Sequence, residues 1–170
     1  MVVFNDVGLI PAEKRNEATG RVEAIGPAVI SLEKFKKVFV FNERRNRLFQ
    51  KFTDWYRTLN PAHIQPMMIW FGGSFVEATE APSDIDLLLF FKSGTHAESE
   101  PKCLSHDAVK DRFCLDLNLI NMNGHPADII HNAARYVLYY SIPHAGKLGT
   151  KDPACRRAVI SVVGSELSKL

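Results

Sequence analysis

The stretch from Trp70 to Phe91, "WFGGSFVEATEAPSDIDLLLFF", constrains this chain more than any other. Two apolar runs bracket a Gly-Gly-Ser and an Asp-Ile-Asp. An ionised carboxylate is costly to bury without a partner, so Asp84 and Asp86 at the mouth of the second run call for a cation or a charged ligand. On a strand, residues two apart share a face, with Cα atoms about 6.6 Å apart at a rise of roughly 3.3 Å per residue. The two carboxylates then project together, and Ile85, Leu87 and Leu89 project to the other face. After the pair, apolar residues fill both faces, as in a strand covered on both sides. Hard oxygen ligands in such a place suit Mg²⁺ or Mn²⁺.

A third acid falls on the next candidate strand. In "FCLDLNLI", Phe113, Leu115, Leu117 and Leu119 alternate with Cys114, Asp116 and Asn118, which places Asp116 mid-strand on the more polar face. Upstream, Gly72 and Gly73 permit a tight turn from strand into helix and a close approach of backbone to ligand. The N–H groups of a following helix, with the Ser74 hydroxyl, would meet phosphate oxygens. A phosphate cradle beside metal-binding carboxylates points to phosphoryl or nucleotidyl transfer.

The rest of the chain supplies a scaffold of ordinary proportions. The 170 residues are 46% hydrophobic and 24% charged, enough for one domain with a sizeable core. A formal net charge of +2 makes neither nucleic acid nor an anionic membrane an obligatory partner. Cys103, Cys114 and Cys155, an odd number without CxxC spacing, fit a reducing compartment. With no signal peptide or membrane-length apolar run, the expectation is a soluble, cytoplasmic protein.

Residues 1–30 read as an extended N-terminal arm with room for one short strand, and residues 31–170 as the domain. Ser31 and Asn42 are candidate caps for two helices. In the second, Leu48, Phe52, Trp55 and Leu59 form an apolar stripe, while Arg44, Arg45, Arg47 and Lys51 are assigned to a solvated face. Expected next are a strand (67–71), a short helix (72–78), a strand (85–91) and a polar loop (92–102). A helix (104–112), a strand (113–120), a helix from Pro126 and a last strand in "RRAVISVV" follow. Alternating elements of this kind predict an α/β fold, a mixed β-sheet with flanking helices.

Gly73-Ser74, nine residues, Asp84-Ile85-Asp86 and a later Asp116 together resemble the signature of the DNA polymerase beta-type nucleotidyltransferase superfamily, over residues 67–120. The short chain is similar in scale to the minimal members, some of which are antitoxins that transfer AMP to a toxin. "FNDVGLIP", "FNERRNRLF" and "GGSFVE" also resemble an uncharacterised bacterial and phage family predicted to have that fold. The resemblance implies that Asp84 and Asp86 hold two metals, that Asp116 holds the catalytic one and helps activate an acceptor hydroxyl, and that Gly72, Gly73 and Ser74 bind the triphosphate. It implies Mg²⁺ or Mn²⁺ as cofactor and an NTP, ATP first, as substrate. Acceptors would be a protein such as a toxin or host partner, an RNA end or a small molecule.

Where many relatives carry Arg or Lys between Ser74 and Asp84, this chain carries only Glu77 and Glu80. The neutralising cation would come from among Lys92, Lys110, Arg112, Arg135, Lys147, Arg156 and Arg157. Glu77 is weighed as a further metal ligand against a helix-surface residue. His125, His131 and His144 read as capping or surface residues, and Cys114 as a small packed one. Two other functions stand beside transfer: an inactive binding module acting by occlusion, and RNA binding by the arginine-rich helix.

Overall fold

The computed structural model describes residues 13–15, 18–24, 27–78, 81–93, 101–141 and 157–170. Residues 1–12, most of the polar loop, Glu80, His144, Lys147, Cys155 and Arg156 lie outside the described residues. Both sequence-read caps are present. Ser31 Oγ accepts from Lys34 N at 3.1 Å to start α1 (Leu32–Phe39), and Asn42 Oδ1 accepts from Arg45 N at 2.9 Å to start α2 (Glu43–Arg57). His125 caps α4 (Pro126–Tyr140), its Nδ1 accepting from Ala127 N.

The centre is one five-stranded mixed sheet with helices on both faces. Its strands are β3 (Ala28–Val29), β4 (Ile64–Gly72), β5 (Ile85–Ser93), β6 (Leu115–Asn121) and β7 (Ile160–Val163), in spatial order β3-β7-β4-β5-β6. β4 runs antiparallel to both β5 and β7; β5–β6 and β3–β7 are parallel. A parallel step needs a crossover, and α3 (His106–Phe113) supplies it between β5 and β6. On one face Phe71, Ile85, Leu87 and Leu115 pack against Phe35, Phe52, Trp55 and Val109 of α1, α2 and α3. On the other, Leu88, Phe90 and Ile120 pack against Tyr136 and Tyr140 of α4. By parity, Asp86 and Asp116 belong to the α4 face. A four-residue α5 (Gly164–Leu167) follows β7, and no helix among the described residues is long and apolar enough to cross a membrane.

Four local readings change. The arm contributes more than one strand: β1 (Glu13–Arg15) and β2 (Val22–Ala24) form a hairpin, and β3 joins the main sheet. β4 begins at Ile64, with a register shift between Pro66 and Met68 admitting a proline where β7 no longer pairs. The helix expected over 72–78 is a single 3₁₀ turn, Ser74–Val76. Phe113 ends α3, and Cys114 adopts a left-handed conformation (φ 56°) that closes the helix through its N–H to Lys110 O. The strand therefore starts at Leu115, and the Cys114 thiol accepts from Lys51 Nζ instead of sharing the Asp116 face.

The largest revision concerns Arg45, which has no exposed surface. Its guanidinium donates to the carbonyls of Phe39 (3.0 Å), Phe75 (2.6 Å), Ser74 (3.3 Å) and Glu77 (2.5 Å), beside the rings of Phe41 and Phe75. Burial draws its pKa down to about 10, partly opposed by Glu77, so it stays charged at neutral pH. Arg44 reaches Pro82 O and Ser83 O, both at 3.1 Å. Two of the three arginines thus hold the ends of the Ser74–Ser83 segment, leaving Arg47 exposed and paired with Glu43. Arg45→Met should cost about 3–5 kcal/mol in urea unfolding, the range for removing one partner from a buried charged network. Arg47→Ala should leave the midpoint unchanged.

Candidate active site

β4, β5 and β6 bring the sequence-read residues to one corner of the sheet. The register aligns Gly72 with Asp86 across β4–β5, and Asp86 with Asp116 across β5–β6. Glycine at 72 and 73 follows from what occupies the space where a Cβ would stand. At Gly72 it would come within 2.8 Å of Tyr140 Cβ. At Gly73 it would come within 1.5 Å of Asp86 Oδ2, and the backbone there is left-handed (φ 63°). The Asp86 carboxylate therefore lies over the Gly73 backbone. Ser74, half-buried, opens the 3₁₀ turn, and a turn so short provides no helix N-terminus for phosphate.

Asp84 lies one residue before β5, its Oδ1 accepting from Ser83 Oγ at 3.0 Å. Asp116 turns to α3, accepting from Lys110 Nζ at 3.0 Å with His106 Nε2 at 3.3 Å. Asp107 and Asp116 raise the His106 pKa, and Asp116 raises that of Lys110. Asp86 is the strained member. Burial first, then the Asp84 and Asp116 charges, push its pKa up to about 6, against relief from Arg157 and Lys110. Among the described residues, no three His, Cys, Asp or Glu side chains converge on one point as they stand. Carboxylates are the donor type of a hard divalent cation, and to share one here Asp116 would have to turn from Lys110 toward Asp84 and Asp86.

Glu77 is not a ligand at this corner. It is buried, and its carboxylate pairs with Arg157, whose Nε donates to Tyr140 O at 2.5 Å. Of the candidate cations, Lys110 pairs with Asp116, while Arg157, paired with Glu77, acts on Asp86 through its charge. Arg112 lies over the Phe113 ring, and Lys92 sits at the far end of β5. Arg135 lines a cleft of about 790 Å³ between β6 and α4, with Asp116, Asn118, Asn132 and Tyr139 among its other walls. His131 is exposed. Reasoning from sequence passed over His106, whose approach to Asp116 across the α3–β6 turn has no local signature. It also placed Arg45 in solvent, though positions 45, 48, 52, 55 and 59 form one helical stripe. Nothing in the sequence marked the Glu77–Arg157 pair.

Residues 3–147 match the family of unknown function DUF6932, and the chain belongs to that family. No curated protein matches the chain, and no solved structure does.

The pH dependence follows from Asp86. Its folded pKa, about 6, lies above the ordinary 3.8, so its ionisation opposes folding, fully above about pH 6 and not at all below about pH 4. The difference corresponds to about 3 kcal/mol. Without divalent cations, Asp86→Asn should raise the thermal midpoint at pH 8 by roughly 6–12 °C, with the gain shrinking as pH falls toward 4. A variant melting at or below wild type at pH 8 would contradict the burial and crowding of this carboxylate. Gly73→Ala should lower the midpoint at either pH, since its Cβ collides with Asp86.

Proposed function

We propose that the chain is a metal-dependent nucleotidyltransferase with a nucleotidyltransferase-like fold, moving a nucleoside monophosphate from an NTP to an acceptor hydroxyl. The observation that carries this reading is the line Gly72–Asp86–Asp116 across three adjacent strands, with Asp84 two residues away on the chain. Asp84, Asp86 and Asp116 would hold Mg²⁺ or Mn²⁺. When bound, the metal supplies charge neutralisation at the transferring phosphoryl group. The Gly72–Gly73–Ser74 backbone and the Ser74 hydroxyl would face the triphosphate.

In the transfer, the acceptor oxygen forms a bond to the α-phosphorus as the bond to pyrophosphate breaks. Pyrophosphate leaves, and the hydroxyl proton passes to Asp116. In-line displacement puts the acceptor opposite the leaving group. The triphosphate loop lies at the end of β4, so the far side is that of β6, where the cleft bordered by Asp116 opens. That cleft is the natural acceptor site.

A second reading, an inactive module that binds a protein partner, draws on two observations. Asp116 is already neutralised by Lys110 and His106, and α4 exposes Ile130, Leu138 and Tyr139. Label transfer separates the two. Wild type and Asp84→Ala/Asp86→Ala protein are incubated with each α-³²P-NTP, Mg²⁺ or Mn²⁺, and host lysate split into protein and RNA fractions. A band formed by wild type alone, at least a hundredfold above the variant, is expected. Equal labelling by both, or none with any nucleotide, would favour the binding module.

A further inference from the structure

Lys110 stands where a bound cation would compete with it. α3 ends one turn beyond it, Cys114 reverses the chain through its left-handed backbone, and β6 begins, so residues six apart meet as an ion pair. The ammonium is 3.0 Å from Asp116 Oδ2, and Asp84 and Asp86 act on it as well. Its side chain is 43% exposed, on a flexible stem. The segment from Phe75 to Ser83 offers no cation of its own, and Arg157 is committed to Glu77 and Tyr140 O.

We infer that Lys110 is a built-in counter-ion of the carboxylate corner, displaced from Asp116 by a divalent cation and released to neutralise the phosphate of the incoming nucleotide. This rests on reading Asp84, Asp86 and Asp116 as a divalent-cation site. In the metal-free protein the ammonium offsets part of the repulsion among the three acids. Once a divalent cation takes over that role, the ammonium would face two positive charges and move. The same side chain thus opposes metal alone and favours nucleotide with metal. A purely structural lysine would not produce that change of sign.

Binding alone tests it, without turnover. Mn²⁺ is titrated into metal-free wild type, Lys110→Met, Lys110→Arg and Asp84→Asn, read by loss of the free Mn²⁺ electron paramagnetic resonance signal. α,β-Methylene-ATP is then titrated by calorimetry at saturating Mn²⁺. Lys110→Met should bind Mn²⁺ about two- to fivefold tighter, the worth of a partly exposed ion pair, and the nucleotide analogue about tenfold weaker. Lys110→Arg, which keeps the charge, should stay near wild type in the first titration. Lys110→Met binding Mn²⁺ no tighter, or shifting both ligands the same way, would overturn the role of Lys110 while leaving the metal site standing. Wild type binding no Mn²⁺, or Asp84→Asn binding it as well as wild type, would remove the metal site and this inference with it.

Discussion

The Arg45 guanidinium, with no exposed surface, donates to four carbonyl oxygens, three of them between Ser74 and Glu77. Among its described residues the Ser74–Ser83 segment has one 3₁₀ turn and no strand pairing, and so has little of its own to fix its path. Arg45 holds its first half, and Arg44 holds Pro82 and Ser83 immediately before Asp84. The circuit closes through Glu77, which pairs with Arg157. Arg157 donates to the Tyr140 carbonyl, and the Tyr140 side chain fills the space above Gly72. The backbone of the candidate phosphate loop is thus held from α2 on one side and from α4 on the other.

That rigidity is what allows an unfavourable arrangement to persist. Asp86 is half-buried and crowded by Asp84 and Asp116, and its carboxylate lies over a glycine that no other residue could replace without collision. Groups crowded in this way relax when the surrounding backbone can yield. Here the parallel register of β5 and β6 fixes Asp86 beside Asp116, and the arginine circuit fixes Gly73 beneath it. Gathering three acids at one corner costs stability, and perturbed groups of this kind are what the proposed cation site would require.

Much of this was legible in the residues. Strand parity placed Asp86 and Asp116 on one face, apart from Ile85, Leu87, Leu115 and Leu117, because the two-residue period of a strand is rigid. The caps at Ser31 and Asn42 were legible because their side chains bond within three residues. The proposed roles of those acids belong to the resemblance. What sequence concealed was long-range. Arg45 looked solvated because charge alone argued for the surface, though its place on the Leu48–Phe52–Trp55 stripe argued for burial. The Glu77–Arg157 pair, eighty residues apart, has no local signature. The left-handed Cys114 was hidden because nothing but a glycine would have announced it.

Asp84, Asp86 and Asp116 are proposed to form a divalent-cation site in front of the Gly73–Ser74 loop. A crystal structure with Mn²⁺ and a non-hydrolysable NTP analogue, with anomalous data at the manganese edge, would decide it. The expected result is an anomalous peak ligated by all three carboxylates, with phosphate oxygens beside it at Gly73 and Ser74. Manganese bound elsewhere, with Asp116 still paired to Lys110 and the nucleotide away from the loop, would contradict it.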